Sequence, residues 1–135
     1  MSTSGASEAY STFLTNEGYR PTLDSDGDVV FKREGHTYLI LIDDADPTFF
    51  RLVFPNFWEI ESDPERFQVL LAAQSATADT KVAKVFIVGD NVWASVEQFV
   101  PEPASATAVF DRALGAIDSA VNRFVATMRQ QADEH

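Results

Sequence analysis

Residues 24–43, DSDGDVVFKREGHTYLILID, decide the fold of this chain. The stretch follows a short helix that we expect to end at Gly18, and it reads as turn, strand, turn, strand. Asp26-Gly27 is predicted to supply the positive φ angles of a tight hairpin, and Gly35 marks the second turn. Because the connections are so brief, the strands that they join must be antiparallel.

The second strand of this stretch, residues 37–42, is apolar on both faces. Tyr38 and Ile40 point to one side of the sheet, and Leu39 and Leu41 point to the other. A strand of this kind is usually central and covered twice. The pattern therefore predicts a strand that is covered on both faces, by helices or by a partner chain.

Further elements flank this stretch on both sides. The sequence predicts a helix over residues 7–17, capped by Ser7 or Ser4, then strands over 19–23, 29–33, 37–42 and 49–54. Pro55 is expected to end the last of these. Ser62-Asp63-Pro64-Glu65 predicts the start of a second helix, which fades around residues 77–80. Phe67, Leu70, Leu71 and Gln74 line one side of that helix.

Strands over residues 84–88 and 92–100 follow, and then a closing helix over about 106–128. Six apolar residues recur on this helix at steps of three and four and predict a lid over the sheet. They are Phe110, Leu114, Ile117, Val121, Phe124 and Met128. The order α-β-β-β-β-α-β-β-α predicts an α+β fold, an antiparallel twisted sheet of five to six strands with helices packed on it. We expect one domain over residues 1–135, with a core at 7–128 and a flexible lead-in at 1–6.

Composition excludes several classes of function. The chain of 135 residues has a net charge of −11 and no cysteine, which removes disulfides and thiolate chemistry. The acidic field disfavours nucleic acid and anionic membrane surfaces as partners. No run of apolar residues approaches the length of a membrane span, and the first ten residues lack the features of a secretion signal. We therefore expect a cytoplasmic protein.

Two acidic clusters are the candidate metal sites. Asp24, Asp26 and Asp28 resemble a calcium loop, but the glycine and glutamate of that loop are not at the required positions, and a hairpin turn explains the same residues. The residues Asp43, Asp44 and Asp46 form the second cluster, which suits a solvated strand end. No nucleophile motif or phosphate-binding loop occurs in the sequence. We predict no catalytic residue, metal or cofactor.

Aromatic residues are more numerous than a small core requires, with eleven phenylalanines and two tryptophans. Neighbours such as Phe57 and Trp58 should point to opposite faces of a strand, so that both cannot enter one core. Some of these aromatic residues must therefore lie under the second helix, in a dimer interface or in a groove, and burial under the second helix is the ordinary explanation. Aromatic side chains are also common anchors of protein interfaces. The predicted dimer or partner-binding residues are Leu39, Leu41, Phe50, Phe57, Trp58, Trp93 and Phe99.

The element order and several local sequences resemble the YbjN-like family of sensory transduction regulators. These sequences are the helix end at Gly18-Tyr19, residues 26–31, residues 37–40, and the later strands at 84–88 and 91–93. The resemblance covers about residues 7–128. It implies the fold of the type III secretion chaperones and a compact, non-enzymatic homodimer that holds a segment of another protein.

Three functions follow as hypotheses. The first is a chaperone-like or regulatory protein-binding module that forms a homodimer and also binds an unidentified protein. The second is a small-molecule sensor with an apolar pocket between the sheet and the closing helix. The third is a metal-dependent hydrolase that uses the carboxylates of residues 43–46. The missing catalytic groups and the two-sided apolar strand favour the first.

Overall fold

The computed structural model describes residues 5–133, which form three α-helices, one 3-10 helix and one six-stranded sheet. The helices are α1 (Gly5–Asn16), α2 (Asp63–Asp79) and α3 (Phe110–Asp133), and the 3-10 helix is Pro103–Ala108. The strands are β1 (Thr22–Leu23), β2 (Val29–Arg33), β3 (His36–Leu41), β4 (Phe49–Glu59), β5 (Ala83–Val88) and β6 (Asn91–Phe99).

The sheet is antiparallel throughout, with the strand order β1-β2-β3-β4-β6-β5. The first four strands are consecutive because short turns join them. Helix α2 then carries the chain past the position of β6 to the edge strand β5, and β6 returns between β5 and β4. This architecture confirms the α+β prediction and its element order.

All three helices lie on one face of the sheet. Tyr10 of α1 packs against Phe50 of β4, and Phe110 of α3 packs against Phe31 of β2. Helix α2 packs against α3 and β5. The six apolar residues that recur along α3, from Phe110 to Met128, form the seam by which this helix covers the core. All of them are buried except Val121, which is half-buried. In the described chain no helix covers the second face, so the two-sided covering by helices expected for β3 does not occur.

The two turns of the first hairpins differ from each other. Between β2 and β3 the loop is Glu34-Gly35, and both residues have positive φ, 53° and 81°, as a type I′ turn requires. Between β1 and β2 only Gly27 has positive φ. Gly27 has the positive φ that the sequence predicts, and its backbone nitrogen donates to the carbonyl oxygen of Asp24 at 3.1 Å, whereas the positive φ expected for Asp26 is wrong. The loop spans residues 24–28 because Asp24 Oδ1 accepts hydrogen bonds from the backbone nitrogens of Asp26 and Asp28.

Strand β4 does not end at Pro55, which corrects the sequence-based boundary. The register with β6 shifts between Phe54 and Trp58, so that Pro55 lies in a bulge. A proline has no N–H to donate to the ladder, and a bulge is one of the places in a sheet where none is needed. Pairing resumes with Trp58 opposite Val92. The strand thus continues to Glu59 on the far side of the bulge.

Helix α2 begins at its predicted cap, whereas α1 begins before its predicted start, with the candidate cap Ser7 inside the helix. Helix α1 includes Gly5 and the buried Ala6, so these two residues of the predicted lead-in are helical. Residues 1–4, including the candidate cap Ser4, lie outside the described residues. Ser62 caps α2 by accepting a hydrogen bond from the backbone nitrogen of Glu65, as its sequence predicts. The closing segment is a 3-10 helix followed by α3 rather than one helix.

Candidate interaction surfaces

The second face of the sheet, which we call the open sheet face, is the first candidate surface. Its residues alternate with those that point toward the helices, and the strand register brings them into rows. Apart from a charged row described below, the face carries mainly apolar and aromatic side chains. These side chains belong to Val30, Leu39, Leu41, Phe49, Phe86, Trp93 and Phe99, whereas Val53 on the same face is fully buried.

A charged row crosses the middle of the open sheet face. Glu97 of β6 lies 2.6 Å from Lys84 Nζ on β5 and 3.1 Å from Arg51 Nε on β4. Its side chain is only 13% exposed, and Ser95 donates a further hydrogen bond to it. Burial by itself would raise the pKa of Glu97, but the Lys84 and Ser95 hydrogen bonds and the two cations hold that pKa below its usual value. Glu97 is therefore ionised at neutral pH.

Four of the seven residues predicted to bind a partner lie on the open sheet face. Leu39 and Leu41 are half-buried at its centre, and Trp93 lies near Phe86 of the edge strand. Phe99 is 75% exposed, and its ring centroid is 5.6 Å from that of Phe49. Side chains of this kind, apolar and partly open to solvent, are suited to contact another protein.

The other three predicted residues point toward the helices. Phe50 is fully buried against Tyr10, so its assignment to a partner surface is wrong. Phe57 and Trp58 are half-buried, and each ring lies 5.4 Å from the Phe124 ring of α3. The expectation that these two neighbours point to opposite faces fails because the bulge at Pro55 interrupts the alternation. Both rings pack on α3 of their own subunit, and a contact of their half-exposed sides with a partner stays a prediction.

Helix α2 supplies a second candidate surface that the sequence reading did not recognise as exposed. Phe67, Leu70 and Leu71 are 63%, 54% and 48% exposed, and we call them the α2 patch. The buried side of α2 is made instead of small residues, namely Val69, Ala72, Ala73 and Ala76. Large apolar residues at positions i, i+3 and i+4 normally face a core. Here the small side chains let α2 pack closely on α3, and the large ones are left outside.

The acidic clusters behave as turn residues. Asp24 Oδ1 binds two backbone nitrogens, and Asp28 Oδ1 accepts a hydrogen bond from the backbone nitrogen of Ile42. Burial raises the pKa of Asp28. In residues 5–133, the only carboxylates that converge as a ligand set are those of Asp24, Asp26 and Asp28. Asp43 and Asp46 instead accept hydrogen bonds from Ala45 and Thr48 of their own loop.

Comparison with known proteins adds no relative. No protein-family model matches the chain, and no curated protein or solved structure matches it either. The resemblance to the YbjN-like family therefore stays a prediction. Of the helices in residues 5–133, none combines the length and apolar character that a membrane-spanning helix requires.

Proposed function

We propose that this protein is a non-enzymatic, protein-binding module of chaperone-like or regulatory type, which acts as a homodimer. The α2 patch joins the two copies, and the open sheet face of each copy holds a segment of a partner protein. The observation that carries the proposal is the outward position of Phe67, Leu70 and Leu71 on a helix whose buried side is made of small residues. The YbjN-like resemblance implies the same type of assembly.

Charge supports the choice of α2 for self-association. Two copies that each carry a net charge of −11 repel one another, so a shared contact must be nearly free of charge. Residues 67–78 contain no charged residue, so the part of α2 that carries the patch is an uncharged stretch on an acidic chain. A twofold dimer also places the same patch of both copies in contact, so that one self-complementary helix surface is sufficient.

The open sheet face is better suited to a different protein. Its centre holds the row of Lys84, Glu97 and Arg51, and apolar residues such as Leu39 and Phe99 lie on either side of it. Exposed aromatic groups can anchor a peptide by burial, and the charged row can select its polar groups. Binding of an extended segment needs no catalytic group.

Light scattering coupled to size-exclusion chromatography tests the dimer. We expect wild-type protein to elute as a dimer and Leu71→Glu to elute as a monomer with an unchanged circular dichroism spectrum. Leu23→Glu is the matched control, because Leu23 is also an exposed leucine but lies on edge strand β1. A wild-type protein that stays monomeric at high micromolar concentration would contradict the proposed dimer.

Site-specific photo-crosslinking tests the partner surface. A photoreactive phenylalanine analogue at position 99 should crosslink a defined protein in the native host, and Leu39→Asp in the same chain should abolish the crosslink. The control carries the analogue at Phe67, which should crosslink mainly the second copy. If position 99 captures no defined protein, or Leu39→Asp leaves the crosslink intact, the open sheet face is not the partner site.

A further inference from the structure

A cleft of about 690 Å³ lies between the amino-terminal half of α3 and the connection from α2 to β5. Its volume falls within the range of about 300–1,000 Å³ that small-molecule sites occupy. The residues that line it come from α3, from the end of β6 and from residues 79–82. The cleft is separate from the open sheet face, since α3 packs on the other side of the sheet. We call it the α3 cleft.

The wall that α3 contributes to this cleft is made mainly of small side chains. Ala113, Gly115 and Ala116 line it, together with Val109 just before the helix. A Cβ atom built on Gly115 would meet no atom within 4 Å, so the space beside the helix is open. Such a wall offers an apolar surface to a ligand and leaves room for it.

Two cations lie in the same cleft. Lys81 and Arg112 both line it, and within residues 5–133 neither side chain has an ion-pair partner. The acidic group in the lining, Asp79, is paired with Arg123. The cleft thus carries two uncompensated positive charges on a chain whose net charge is −11. Ser119 and Gln98 add hydrogen-bonding groups to the lining.

We propose that the α3 cleft binds a small organic anion with an apolar chain, of the fatty-carboxylate type. The carboxylate lies between Lys81 and Arg112, and the chain lies along the wall formed by Ala113 and Ala116. A charge-assisted hydrogen bond to a guanidinium supplies orientation, and burial of methylene groups supplies most of the affinity. The acidic remainder of the surface repels the same anion, so the anion should bind at this cleft and not elsewhere on the protein.

A tight turn at residues 81–83 forms one side of the cleft. The backbone nitrogen of Ala83 donates to the carbonyl oxygen of Lys81 at 2.7 Å, and the intervening Val82 has a φ of 55°. A β-branched residue in this conformation is rare because its Cβ crowds the backbone. The turn holds the exposed Val82 side chain in the lining of the cleft, next to Lys81.

Octanoate is the probe for this site, followed by ¹⁵N–¹H correlation spectra of the full chain. We expect octanoate to shift the amide signals of residues 79–82, 98 and 109–119, and octylammonium to leave them unchanged. Affinity should rise about threefold to fourfold for each methylene added between hexanoate and octanoate. The proposal is overturned if octanoate shifts no signal up to about 10 mM, or if the shifts lie on the α2 patch or the open sheet face.

Two variants and a matched control complete the test. Arg112→Gln should weaken octanoate binding about fivefold or more, whereas Arg112→Lys should retain most of it. Arg129→Gln removes the same charge from the far end of the same helix and should change the affinity less than about twofold. Gly115→Leu should fill the cleft and abolish binding in a folded chain. Equal weakening by Arg112→Gln and Arg129→Gln would show that the anion senses only overall charge.

This site is independent of the proposed partner surfaces. Arg112 and Gly115 belong to neither the α2 patch nor the open sheet face, so their substitution should leave the dimer and the crosslink at position 99 intact. Failure of octanoate binding would leave the proposed protein-binding function standing, and a wild-type protein that stays monomeric would contradict the proposed dimer but leave the α3 cleft in place.

Discussion

Glu97 of β6 and Lys84 of β5 form an ion pair of 2.6 Å on a sheet face that no described helix covers. The carboxylate is largely buried although it lies on the outside of the fold, because Arg51 and Ser95 surround it on the neighbouring positions. An ion pair in such a place fixes the arrangement of β4, β6 and the edge strand β5 at the surface where we expect a partner to bind.

Glu97→Gln should lower the free energy of unfolding at pH 7 by about 1–3 kcal/mol, since it leaves two cations without their partner. The pKa of Glu97 is lowered in the fold, so its stabilisation is present above the ordinary value of 4.5 and is lost as the pH falls through the folded-state pKa. The difference between wild type and variant should therefore shrink below about pH 4.5. Urea unfolding of wild type and variant at pH 7 and at pH 3.5 measures the loss of stability and its dependence on pH.

The matched control for this prediction is Glu59→Gln. Glu59 is an exposed glutamate at the end of β4 with no ion pair in the described chain. Its substitution should change stability by less than about 0.5 kcal/mol at either pH. A difference between wild type and Glu97→Gln that is independent of pH would contradict the assigned role of the Glu97 charge.

Tyr10→Phe should leave stability unchanged or raise it by up to about 1 kcal/mol. The hydroxyl of Tyr10 is buried against the sheet, and within the described residues it has no hydrogen-bond partner. Burial also raises the pKa of this phenol. Tyr38→Phe is the contrasting control, because the Tyr38 hydroxyl accepts a hydrogen bond from Arg33 and its loss should destabilise. A Tyr10→Phe variant that is clearly less stable than wild type on thermal unfolding would show that its hydroxyl is satisfied.

Glu34→Asn should stabilise the chain by about 0.5–1 kcal/mol. Glu34 is the first residue of the type I′ turn and has a φ of 53°, a conformation that asparagine tolerates better than glutamate. Glu34→Ala removes the same charge, but alanine does not tolerate a positive φ as asparagine does, so this variant should not be more stable than wild type. Thermal unfolding of the two variants in parallel separates the backbone effect from the charge effect. Equal changes in the stability of the two variants would mean that the lost charge, and not the backbone conformation of residue 34, accounts for the effect.

Val82→Asn should raise the free energy of unfolding by about 0.5–1.5 kcal/mol, because it relieves a β-branched residue from a left-handed conformation. Val88→Asn is the control, since Val88 is also exposed but lies in the regular strand β5. That change should be neutral or destabilising. Denaturant unfolding provides the measurement, and a loss of stability in Val82→Asn would show that the Val82 side chain contributes packing that outweighs its backbone strain.

Thr77→Val should destabilise the protein by about 1–2 kcal/mol and promote association through strand β5. The Thr77 hydroxyl lies 2.9 Å from the backbone nitrogen of Val85 and 3.4 Å from its oxygen, so it occupies part of the free edge of the sheet. Thr127→Val is the control, because the Thr127 hydroxyl bonds only to its own helix. Thermal unfolding tests the loss of stability, and light scattering at increasing concentration tests the association. A Thr77→Val variant that is as stable and as monodisperse as Thr127→Val would refute the role of Thr77.

Local sequence determined the order and most of the boundaries of the elements, because turns, caps and apolar periodicity act over a few residues. Gly35, the Ser62 cap and the seam from Phe110 to Met128 all lie where these signals predict them. The alternation in β3 and β6 likewise gave the positions of Leu39, Trp93 and Phe99 on one face. Such signals need no knowledge of distant parts of the chain.

Tertiary structure alone decided which of the apolar surfaces are left open. The bulge at Pro55 turned both Phe57 and Trp58 toward α3, and the fit between α2 and α3 selected small residues for burial while Phe67 stayed outside. The α3 cleft likewise exists only because the chain brings residues 79–82 beside Arg112. Each of these outcomes depends on contacts between segments far apart in sequence, and the spacing of residues within one segment carries no information about them.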